Sequence, residues 1–235
     1  MVMISYNMFF QNFQSVSGRV AEAARASGRR PEEVRVLPVT KTHPAAAVEF
    51  AVRAGLERVG ENRVGEAAEK RAVSAGAPAK WDLIGHLQSN KAALALRTFD
   101  RLQSVDSLKL AVRLDRLAGE AGLRPECFIQ INTGLDPRKH GFAPGEVAAA
   151  FDRLAELGNL SITGLMTIAP LEGGRAEARK AFARLRELAG DLRRRSGLPL
   201  PELSMGMSGD LEEAVAEGST LVRIGSALFG EREPG

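Results

Sequence analysis

A chain of 235 residues, 44% apolar and 26% charged, has the composition of a folded globular protein. A net charge of +3 is too slight for the electrostatic footprint of a nucleic-acid binder, and no apolar run approaches the roughly 20 residues that cross a bilayer. A single cysteine, Cys127, excludes an intramolecular disulfide; the opening MVMISYNMFFQNFQ lacks the basic segment of a secretory signal, so a cytoplasmic protein is expected.

The first 30 residues form a helical segment, with an amphipathic helix at about 5–27. VRVLPVT (34–40) follows, rich in the β-favouring residues of a buried strand, and it runs into Lys41. Further strand candidates are 58–60, 82–85, 101–105, 127–132, 161–168, 202–205 and 220–225. Between them, PAAAVEFAVRAG, VGEAAEKRAVSAG, SLKLAVRLDRLAGEAG, PGEVAAAFDRLAELG and GGRAEARKAFARLRELAGDLRRRSG carry apolar residues at three-and-four spacing. Several of these close on glycine, as capped helices do, and Arg193–Arg195 reads as a solvated helix end. Strands alternating with helices predict parallel βαβ units. Eight strands make this an α/β protein with a single (β/α)8 TIM-type barrel and an extra N-terminal helix that caps one end. An open doubly wound sheet is the alternative. No linker or shift of composition interrupts the chain, so residues 1–235 read as one domain with the barrel at 34–231.

Active sites of such barrels lie at the C-terminal ends of the strands, and phosphate sites are frequent after strands seven and eight. Those two turns are GMSGD and GS here, where glycines admit close backbone approach and Ser208 and Ser226 offer hydroxyls. Each turn could equally be a helix cap, with Asp210 and Glu213 as a capping pair. Lys41, on the strand that neighbours strand eight in a closed barrel, points to a Schiff base with a phosphorylated aldehyde. Alone it could also be a solvated strand end. Pyridoxal 5′-phosphate meets both needs, and Arg223 is then the candidate partner of its ring nitrogen. A donor that stays protonated there weakens the ring as an electron sink.

The stretches VTKTHP, VGENRVGE, WDLIGHLQSNK, LQSVDS, INTGLDPRKHGF, GLMTI and LSMGMSGDLEEAVAEGSTLVRIGSALFG resemble the YggS/PROSC-type pyridoxal-phosphate homeostasis family, relatives of the alanine racemase barrel domain. The resemblance implies a (β/α)8 barrel with the cofactor on Lys41 as an aldimine. It implies that Ser208, Gly209, Gly225 and Ser226 hold the phosphate, with Arg223 by the pyridine ring and Asn62 and Met166 near the cofactor. Family members commonly carry a second lysine two positions after the first; His43 stands there instead, so no transfer between two lysines carries over. His86 and Asn90 are expected to serve a βα turn, Lys139 and His140 to meet solvent, and Cys127 to be a buried inert thiol. No catalytic residue and no metal site is expected.

Two functions follow: a carrier that buffers or delivers the cofactor, to apo forms of pyridoxal-phosphate enzymes among others, or an amino-acid racemase. A two-base racemase takes its second base from a separate β-domain, and the chain ends at Gly235 with no room for one. The only tyrosine, Tyr6, lies in the first helix. The expectation is a monomeric carrier without strong catalytic activity.

Overall fold

The computed structural model of the chain describes residues 4–170 and 172–230. Each apolar run becomes a strand, and the helices follow in order: α1 (Tyr6–Ala26), β1 (Arg35–Pro38), α2 (Ala46–Arg53), β2 (Arg58–Glu61), α3 (Val64–Val73), β3 (Lys80–Leu83), α4 (Ala92–Thr98) and β4 (Arg101–Val105). Then come α5 (Leu108–Glu120), β5 (Glu126–Gln130), α6 (Pro144–Ala155), β6 (Ser161–Met166), α7 (Gly174–Ser196), β7 (Glu202–Ser204), α8 (Leu211–Ala216), β8 (Leu221–Ile224) and α9 (Ser226–Phe229). The strand starting at Lys80 begins two residues before its expected start. Helix α4 was not foreseen, because its 7 residues are too few to display a period.

The strands pair in parallel in the order β1-β8-β7-β6-β5-β4-β3-β2. Closure comes from a parallel bridge between Val39 and Gly60, where Thr40 N–H donates to the Gly60 carbonyl at 3.0 Å. Gly60 suits this seam: a Cβ there would lie 3.2 Å from Leu37 Cδ2 and 3.3 Å from Ile84 Cδ1. The barrel is thus closed and the open sheet is excluded.

Alternation along the strands divides the core in two. Val59, Trp81, Leu83, Leu102, Cys127, Ile129, Leu165 and Val222 face the helices, while Leu37, Val39, Ile84, Phe128, Met166 and Leu221 pack together inside the barrel. Helix α1 does not plug an end as expected. It runs beside α8 and α9, buries Phe9, Val16, Val20 and Ala24, and is tied down by Asn12 Nδ2 to the Leu228 carbonyl (3.0 Å) and Arg29 Nη1 to the Val215 carbonyl (2.9 Å). The arginine run is not merely solvated either: Arg193 Nη2 donates to the Leu200 carbonyl (2.6 Å), and Arg195 reaches the Ala148 carbonyl and Asp152 on α6. Among the described residues, no helix is long and apolar enough to cross a membrane.

Candidate functional site

A cavity of about 310 Å³ opens where the strands end, and Lys41, Asn62, Ser208, Gly209, Arg223, Gly225 and Ser226 all line it. Its apolar wall includes Val39, Ile84 and Ile168, and its volume is at the lower end of small-ligand sites. Seven of the eight residues expected at a cofactor thus converge. The eighth, Met166, does not line the cavity: it is fully buried in the interior cluster, against which Ile168 packs.

Lys41 is aimed by its neighbours. Val39 N–H donates to the Ile224 carbonyl at 2.8 Å and Thr40 N–H to Gly60, so the chain is pinned to β8 and β2 just before the lysine. Thr40 Oγ1 donates to Glu61 Oε1 (2.7 Å), and Lys70 Nζ donates to the Thr40 carbonyl (2.8 Å) and to the Glu61 carboxylate. On the far side, Thr42 sits at φ 65°, a costly conformation for a β-branched residue, with its N–H held by Glu66 Oε1 at 2.7 Å. Strain on one side and a buried ion pair on the other fix the lysine's backbone. Burial pushes the Glu61 carboxyl above the usual range, against the pull of Lys70 and Thr40.

Asn62 follows β2 and is pressed by Gly85, where a Cβ would come within 2.3 Å of the Asn62 carbonyl oxygen. Arg223 is 4% exposed; Nη1 donates to Ser204 Oγ (2.7 Å) and Nη2 to the Thr167 carbonyl (2.8 Å). Burial pushes its pKa down to about 10, with Asp210 pulling the other way, so it stays charged at neutral pH. The two turns meet: Ser226 Oγ donates to Ser208 Oγ (3.3 Å), which also accepts from Ala227 N–H (3.3 Å). Asp210 forms no cap on α8, and no pair with Glu213; its carboxylate accepts from Met207 N–H at 2.6 Å. The Ser208 carbonyl in turn accepts from Arg19 Nη2 of α1 at 3.1 Å.

The remaining motif residues are better engaged than expected. His86 Nδ1 lies 2.7 Å from Asp106 Oδ2, and its ring stacks on His140 with 3.6 Å between centres. Lys139 donates to the Ala169 carbonyl instead of meeting solvent, and burial lowers its pKa. The His43 ring packs on Phe229 with centres 5.0 Å apart. Cys127 is fully buried, and desolvation raises its pKa well above that of an ordinary thiol. The Glu61–Lys70–Glu66 cluster escaped the sequence reading. Its one visible trace is the i,i+4 spacing of Glu66 and Lys70.

The family profile described as "Alanine racemase, N-terminal domain" matches residues 14–233. The "Pyridoxal phosphate homeostasis protein" of Pseudomonas aeruginosa is 46% identical over 226 residues, covering 96% of each chain. The chain belongs to the pyridoxal phosphate homeostasis protein family. Another member, from Escherichia coli K12, is 38% identical over 97% of this chain and 98% of its own. Among solved structures, PipY of Synechococcus elongatus is 45% identical and covers 90% of this chain and 100% of its own; its TM-score is 0.83 without pyridoxal phosphate and 0.81 with it bound. An alanine racemase from Clostridium difficile, 15% identical with a TM-score of 0.75, shares the fold.

Proposed function

We propose that this member of the family holds pyridoxal 5′-phosphate as an aldimine on Lys41 and buffers or delivers it, without strong catalysis of its own. The observation that carries the reading is the convergence of Lys41, Arg223 and the Ser208–Ser226 pair on one cavity. That donor set suits an aromatic aldehyde phosphate: one amine, one buried guanidinium, two adjoining hydroxyls and an apolar wall for a ring. When bound, the cofactor supplies an aldehyde that condenses with a lysine amine, releasing one water, and a phosphate dianion. Ser208, Gly209, Gly225 and Ser226 hold the phosphate through hydroxyls and backbone N–H groups. Arg223 donates toward the ring nitrogen and so disfavours carbanion chemistry at the cofactor. Asn62 flanks the ring, and Met166 supports the cavity through Ile168.

The racemase reading needs a second base, and the one tyrosine does not line the cavity. Tyr6 is occupied on α1, its ring stacked on Phe10 and covered by the Arg53 guanidinium at 3.9 Å. The remaining parts of the proposal are a monomeric, cytoplasmic carrier whose recipients are apo forms of pyridoxal-phosphate enzymes.

Borohydride reduction after addition of pyridoxal phosphate, followed by peptide mass spectrometry, tests the reading. An adduct confined to Lys41 and lost in Lys41→Ala is expected. Label scattered over surface lysines such as Lys80 and Lys91, or none, overturns it.

A further inference from the structure

A chain of hydrogen bonds leads from Arg223 down into the barrel. Arg223 Nη1 donates to Ser204 Oγ (2.7 Å), Ser204 Oγ donates to Gln103 Oε1 (2.6 Å), and Gln103 Nε2 donates to Asp82 Oδ2 (2.6 Å). Ser204, Gln103 and Asp82 are each 0% exposed, and none of them lines the cavity. Asp82 is further held by Arg58 Nε at 2.8 Å and Arg101 Nε at 2.9 Å. Three strands, β3, β4 and β7, thus contribute one side chain each to a path that ends at the arginine on β8.

The polarity of every bond is set from the far end. An ionised carboxylate only accepts, so Gln103 must turn its amide NH2 toward Asp82 and its carbonyl toward Ser204. Ser204 has one proton, which that carbonyl takes, so only its lone pairs face Arg223. A guanidinium only donates, and it is the partner this end of the chain accepts. Asp82 therefore sets, through two neutral side chains, an acceptor beneath the arginine at the cavity.

We propose that Gln103 and Ser204 are positioning residues that hold the Arg223 guanidinium in the orientation the cofactor ring requires. The inference rests on reading Arg223 as the partner of that ring. Two of the guanidinium's donors are tied to Ser204 Oγ and the Thr167 carbonyl, so its plane is fixed and its other N–H groups are directed by that plane. Loss of the Ser204 oxygen or of its acceptor on Gln103 frees the plane to rotate. The cofactor then feels the change without being touched by the altered residue.

The test is a double-mutant cycle on the full chain. Pyridoxal phosphate is titrated into wild type, Gln103→Met, Ser204→Ala, Arg223→Met and the two doubles with Arg223→Met. Affinity and the absorption band of the bound cofactor are recorded, with Tm of each cofactor-free protein. Gln103→Met and Ser204→Ala are each expected to weaken binding about tenfold, the loss of one charge-assisted hydrogen bond. They are expected to move the band in the direction Arg223→Met moves it and to add little to Arg223→Met in the doubles. Ser204→Thr, which keeps the hydroxyl, is expected to retain the wild-type band. Should Gln103→Met fail to fold, Ser204→Ala carries the cycle, since it removes a single oxygen. Wild-type affinity and band in the single variants, while Arg223→Met changes both, overturn the positioning role and leave the reading of Arg223 intact. Effects that simply add to those of Arg223→Met overturn it as well. Wild-type behaviour of Arg223→Met itself overturns the reading of Arg223, and the positioning role with it.

Discussion

Removing the charge of Lys70 should cost far more than removing that of any exposed lysine. Lys70 is 7% exposed and Glu61 0%, and the ammonium serves both the Glu61 carboxylate and the Thr40 carbonyl. Lys70→Met keeps the stem and deletes the charge. Breaking a buried pair by removing one partner costs about 3–5 kcal/mol, because the other charge is left in a dry site. In a chain of this size each kcal/mol moves Tm by about 2–4 °C, so a fall of roughly 6–20 °C is expected at neutral to basic pH. The sign of the pH dependence follows from Glu61. Its folded pKa is raised by burial, so the native state binds more protons than the unfolded state between the two pKa values, and stability drops as pH rises through that window. Lys70 limits this effect in the wild type; in the variant the Thr40 hydroxyl is left to oppose burial without it, and the window widens upward. Urea unfolding at about pH 5 and about pH 8 should therefore show the smaller loss at the acid pH, where Glu61 can take a proton. An equal loss at both values, or a loss below about 1 kcal/mol, refutes the idea that Glu61 is a buried carboxylate dependent on Lys70.

The two hydroxyls at the cavity should act on binding more than on folding: Ser208→Ala and Ser226→Ala are each expected to weaken pyridoxal phosphate binding about tenfold or more in a fluorescence titration, with little change in Tm. Gly85→Ala places a methyl group within 2.3 Å of the Asn62 carbonyl oxygen, which is backbone and cannot swing aside; chemical denaturation should register about 1–3 kcal/mol of lost stability together with weaker cofactor binding. Cys127, fully buried with its pKa raised by desolvation, should resist a thiol reagent in the native protein and react at the rate of unfolding once urea is added.

The features legible in the sequence were those carried by local pattern. Glu126–Gln130 stands out as a strand by its run of Cys127, Phe128 and Ile129, and the glycine-serine turns at 206–209 and 225–226 announce backbone that can approach an anion. Lys41 was legible because a lysine directly after an apolar strand needs a reason. Cross-barrel partnerships were not legible, because nothing in a one-dimensional pattern says which polar residues of different strands share a layer. Gln103 lies 101 positions from Ser204, and Arg19 lies 189 from Ser208, yet each pair is in hydrogen-bond contact. The alternation of Arg101 and Gln103 with Leu102 did carry a hint, since polar residues at period two in a buried strand must satisfy one another inside. The flank position of α1 was hidden for a similar reason: its apolar stripe fixes that it docks, while the partners α8 and α9 lie at the other end of the chain.

That placement has a kinetic meaning. Helix α1 precedes every strand of the barrel in the chain, and β1 takes its register from β8, with Arg35 opposite Leu221. Each has an early neighbour, α2 for the helix and β2 for the strand, but neither completes its contacts before α8, β8 and α9. During synthesis Phe50 of α2 can meet Phe9 early, while the rest of the stripe, Val16, Val20 and Ala24, waits for α8 and α9 with its apolar face in water. Contacts of such long sequence separation also make the closing step slow, since loop entropy must be lost before pairing rewards it. Completion of the ring, the docking of α1 and the assembly of the Lys41 cavity are thereby one late event.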